Sequence, residues 1–112
     1  MTVEQIRVID IISFDKKTGE VWLTISDHLD WSNTLEHLKL LQVKLNAYLA
    51  FVESGEIFER YRRAKNRPVV FEVVFQLSPD EQGREFLVRA QEFIKTAGFE
   101  LRHRVFAQSE EN

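Results

Sequence analysis

The chain has no cysteine among its 112 residues. That excludes disulfides, thiolate metal sites and cysteine nucleophiles together. Four glycines and two prolines leave no material for a glycine-rich phosphate loop or a low-complexity linker. No apolar run reaches the roughly 20 residues that span a bilayer. The opening residues, Met1 to Gln5, lack the basic and apolar stretches of a secretion signal. No membrane role is expected, and the cytoplasm is the expected location.

A surplus of positive charge is missing too. Fifteen basic residues stand against eighteen acidic ones, a net charge of −3. Such a surface has no general attraction for phosphate backbones, so nucleic acid is not an expected partner. What is present is ordinary globular composition: 44% hydrophobic and 29% charged residues. A chain of this length supports one core, and a single α/β domain is expected over residues 1–112.

The hydrophobic patterning divides the chain into six main elements. Ile6 to Phe14 is β-rich with apolar residues on both faces, the pattern of a central strand. Asp15 to Glu20, with Gly19 late in it, reads as a hairpin turn into a second strand from Val21 to about Ser26. A helix is predicted from about Trp31 to Val52, capped by Asp30, Ser32 or Asn33 and closed by Gly55. Glu56 to Arg67 reads as a short helix leading into a loop, and a third strand runs from Val69 to Leu77.

Ser78-Pro79-Asp80-Glu81 opens the second long helix, with Ser78 as cap and Pro79 in the first helical position. Phe86, Ala90, Phe93 and Ala97 repeat at helical spacing along it, Gly98 ends it, and Phe99 to Val105 alternates as a last strand. The order ββαβαβ, with right-handed crossovers, predicts an α+β two-layer sandwich. A four-stranded mixed sheet would carry two helices on one face.

The first long helix has more apolar surface than one sheet needs. With each residue turning about 100°, Trp31, Leu35, Leu41, Leu45, Tyr48, Leu49 and Val52 fall within about 80° of Leu38. These should pack on the sheet. Leu40, Val43, Ala47 and Phe51 fall on the opposite side, between about 140° and 220°. Three coverings are open for this second row: Ile57, Phe58 and Tyr61 of the same chain, the same row of a second copy, or solvent.

Candidate chemistry is sparse. Asp27, His28, Asp30 and His37 form the densest group of potential acid–base or metal-binding side chains, beside Trp31. Their spacing matches no metal motif, however. Helix capping explains the acids, and His37 lies off both apolar stripes, where water is expected. Asp10 and His103 each sit between apolar residues of a strand and would pair if the strands were neighbours. Arg60 to Arg67 concentrates five basic residues around Tyr61, which suits a solvated loop or an acidic docking partner. No cofactor is implied.

The stretches VIDIISFDKKTGEV, LTISDHLDW, EHLKLLQVKLNAYLAFVESGEI and GFELRHR cover most of the chain. On them it resembles a bacterial family known only as a domain of unknown function. The resemblance implies no activity, cofactor or catalytic residue. The expected role is a non-enzymatic interaction module, homodimeric through Leu40, Val43, Ala47 and Phe51. The alternative is a ligand-binding protein or enzyme with a pocket at Asp27, His28, Asp30 and Trp31.

Overall fold

Why one helix should be apolar on two sides is answered by how it lies on the sheet. A computed structural model describes residues 11–106 of the chain. Four strands, β1 (Ile11–Phe14), β2 (Val21–Asp27), β3 (Val69–Phe75) and β4 (Glu100–Val105), form one mixed sheet in the order β1-β2-β3-β4. β1 and β2 are an antiparallel hairpin, whereas β2, β3 and β4 run parallel. Helix α1 (Thr34–Glu53), the short α2 (Glu56–Arg60) and a 3₁₀ turn (Arg62–Ala64) connect β2 to β3, and α3 (Glu81–Thr96) connects β3 to β4. The architecture is the expected α+β sandwich.

The first strand differs from expectation in position. Within the described residues β1 pairs only with β2 and forms an edge, and Ile6 to Asp10 lie outside that range. β2 and β3 are the central strands, which explains why Val21, Leu23, Ile25, Phe71, Val73 and Phe75 are all fully buried. Alternation turns these side chains toward α1 and α3, whose Leu41, Leu45, Leu87 and Ile94 complete one core cluster.

The other side of the sheet is mixed, with Trp22, Val70 and Val74 on the same face as a row of polar side chains. Thr24, Glu72 and Arg102 stand in register across β2, β3 and β4. Glu72 accepts from Thr24 and Arg104, and Arg102 pairs with Glu100 while lying over the Trp22 ring.

Caps set the helix boundaries. Asn33, one of the three proposed caps, accepts the Glu36 N–H, so α1 begins after Trp31 rather than at it. At α3 the cap is Asp80, not Ser78: its carboxylate accepts the Gly83 N–H at 2.8 Å. Pro79 is buried beside that turn instead of occupying the first helical position.

The face that α1 buries is rotated from the expected one. Leu35, assigned to the core stripe, is 73% exposed. The buried arc runs from the half-buried Leu40, at about 200° on the wheel, through Phe51, Lys44, His37, Tyr48, Leu41, Val52 and Leu45 to Leu49 at about 20°. The two apolar rows therefore join into one broad face, and the residues between them, His37 and Lys44, are polar but buried. Among the described residues, no helix is long and apolar enough to cross a membrane.

Candidate functional site

Two places in the described molecule concentrate unusual side chains: a closed polar cluster at the C-terminal ends of β2 and β3, and an open groove between α1 and α3.

The cluster is built on Asp27, the last residue of β2. Its Oδ2 lies 2.6 Å from His37 Nε2, and its Oδ1 accepts the Leu29 N–H at 3.1 Å. His37, one turn into α1, is 2% exposed, which corrects the expectation that water surrounds it. Its Nδ1 lies 3.0 Å from the Asp30 carbonyl oxygen. Both ring nitrogens thus face oxygen atoms at hydrogen-bonding distance, which fixes the orientation of the ring. Asp27 and His37 form a buried, hydrogen-bonded acid–base pair.

Trp31 closes the cluster. Its ring stacks on His37 at 3.8 Å between centroids, and its Nε1 donates to the Leu77 carbonyl at 3.2 Å. The ring also presses on the first turn of α3. A Cβ built on Gly83 would stand 2.8 Å from the Trp31 ring, so glycine is what permits this approach.

Thr34 donates its hydroxyl to Asp80, tying the start of α1 to the start of α3. Bonds from the Thr34 hydroxyl and the Gly83 N–H hold the Asp80 carboxyl below its ordinary range. Asp30 is lowered in the same way by the Ser32 hydroxyl and N–H.

The C-terminal ends of parallel strands are where open α/β sheets usually bind ligands. Here the acid and base are 1% and 2% exposed and bonded to each other, with an indole stacked on the imidazole. The pair ties the end of β2 to the first turns of α1, and Trp31 and Thr34 tie that connection to the start of α3. Among the described residues, no three His, Cys, Asp or Glu side chains are grouped to hold a metal ion. Of the candidate ligand loop, Asp27 is buried, Trp31 is half-buried, and His28 and Asp30 are exposed.

The groove between α1 and α3 has a volume of about 560 Å³. Leu45, Leu49 and Ile94 form its apolar floor, and Gln42, Asn46 and Arg89 stand around it. Phe93, part of the α3 repeat read from the sequence, lines it while 60% exposed. Leu87 and Ile94 are the fully buried apolar residues of that helix.

The remaining candidates fall elsewhere. On the outer row of α1, Leu40 and Phe51 are half-buried against the core, Ala47 is half-buried and Val43 is 39% exposed. Ile57 is fully buried, and Phe58 and Tyr61 are half-buried against the same core.

Asp10 lies outside the described residues. His103 sits edge-on to Phe75 at 6.2 Å, and partial burial holds its imidazole below the usual range. The basic segment turns partly onto the hairpin: Arg63 lies 4.3 Å from the Phe14 ring centroid, and Arg67 donates to the Gly19 carbonyl. Sequence reasoning missed the Asp27–His37 pair and the buried Lys44. Their signal was polarity within an apolar arc, which reads equally well as a break between two faces.

Comparison with known protein families matches residues 1–107 to DUF6572, a family of unknown function. No curated protein and no solved structure matches the chain.

Proposed function

Since the chain belongs to DUF6572, a family with no function attached, we propose a role from its own surfaces: a non-enzymatic interaction module that pairs with a second copy of itself through the outer side of α1. The observation that carries this reading is Val43, a branched apolar residue 39% exposed midway along a 20-residue helix. Ala47, Leu40 and Phe51 extend it into a row, each with part of its surface still uncovered. Such a stripe is self-complementary across a two-fold axis. The bonding of Asp27 and His37 to each other also supports a non-enzymatic role, because it leaves that acid–base pair engaged. A cysteine-free chain with no membrane-crossing helix among its described residues suits the reducing cytoplasm.

The test is mass in solution. Light scattering coupled to size exclusion should give a dimer for the wild type across a concentration series, and a monomer of unchanged circular dichroism for Val43→Glu. A wild type that stays monomeric at the highest concentration overturns the reading. A stable pairing should bury on the order of 1,200 Å² in total.

A further inference from the structure

We propose that the groove between α1 and α3 binds a small amphipathic carboxylate, a medium-chain fatty acid being the simplest example. The chain would lie on the apolar floor and the head group at Arg89. This goes beyond the dimer reading, because the groove and the Val43 row occupy different flanks of α1.

Three observations favour that ligand. The first is apolar surface already facing water: Phe93 is 60% exposed beside the buried Leu45, Leu49 and Ile94. At about 560 Å³, the space is within the usual range for small-molecule sites.

The second is charge. Arg60, Arg102 and Arg104 each pair with a glutamate, but Arg89 has no acidic partner among the described residues. Glu85 stands one turn before it on α3, the spacing at which such pairs normally form, and no pair is made there. An arginine left open beside an apolar floor offers its planar fork to a carboxylate.

The third is the opposite rim. Gln42 and Asn46 of α1 are exposed there, and their side chains make no hydrogen bond among the described residues. They can donate to the second carboxylate oxygen. A cationic head group would meet Arg89 as a like charge, and a neutral one would leave it unused. The chemistry therefore selects an anion with an apolar tail.

The experiment is an amide NMR titration of the full chain with hexanoate, octanoate and decanoate below micelle formation. Shifts are expected at Gln42, Asn46, Arg89 and Phe93, with affinity rising up to about fourfold for each methylene that enters the groove. Decylammonium should bind far more weakly. Arg89→Gln should weaken decanoate roughly fivefold and bring it level with decanol. Ala90→Phe, which fills the groove, should remove binding altogether.

Absence of groove shifts with decanoate overturns the proposal, as do shifts that persist unchanged in both Arg89→Gln and Ala90→Phe. Repeating the titration on Val43→Glu keeps the two readings separate: that variant should bind decanoate as the wild type does, whatever its oligomeric state.

Discussion

The strand-end cluster and the interhelical groove use the same classes of side chain in opposite ways. At the strand ends, an acid and a base are buried and spent on one another, with an aromatic ring stacked over them. In the groove, a base without an acidic partner and an aromatic ring, Arg89 and Phe93, remain open to water beside an apolar floor. The contrast teaches that residue type alone does not mark a site. What matters is whether the fold has already satisfied the group.

The contrast can be broken most severely at His37. His37→Ala leaves the buried Asp27 carboxyl without its side-chain partner, and a loss of up to about 3–5 kcal/mol is expected. Urea denaturation of the variant measures it. The double variant Asp27→Leu/His37→Leu should recover much of that loss, since an apolar pair leaves no buried carboxyl without a partner. A single variant as stable as the wild type would mean that the pair does not hold the cluster together.

A smaller effect is expected at Gly83. The new methyl of Gly83→Ala would meet the Trp31 ring at 2.8 Å and the Pro79 side chain at 3.0 Å. Overpacking of this kind costs about 1–3 kcal/mol, and the higher helix propensity of alanine returns up to about 1 kcal/mol of it. Trp31 should shift its fluorescence as the stack on His37 loosens. An unchanged spectrum would show that the ring is not pinned.

The smallest effect sharpens the other side of the comparison. Phe93→Ala should change stability by no more than about 0.5 kcal/mol, because the ring is already mostly in water. It should nevertheless weaken decanoate in the titration above. A large loss of stability would show that Phe93 belongs to the core.

Several elements were legible because their causes are local. The hairpin at Asp15 to Glu20, the ends of α1 near Asn33 and Gly55, and the end of α3 at Gly98 follow from turn and cap chemistry within a few residues. The cap of α3 was misplaced by two residues. Ser78 and Asp80 are both good acceptors, and with Pro79 packed against the first turn of α3 it is Asp80 that stands at the start of the helix.

The candidate site was less legible. The loop from Asp27 to Trp31 stood out by composition, but His37 was assigned to water because it lies between two apolar stripes. Its partner, Asp27, is ten residues away on a strand, and no helical spacing could reveal that pairing.

The sequence by itself determined the order of elements, the fold class and the main helix boundaries. These rest on side-chain periodicity and on hydrogen bonds made within a turn of the chain. Only the tertiary structure decided which arc of α1 is buried, that His37 and Lys44 go inside with it, and that a groove opens beside Arg89. Burial of a polar side chain depends on a partner supplied from elsewhere in the chain, and a gap between two helices depends on how both are seated on the sheet.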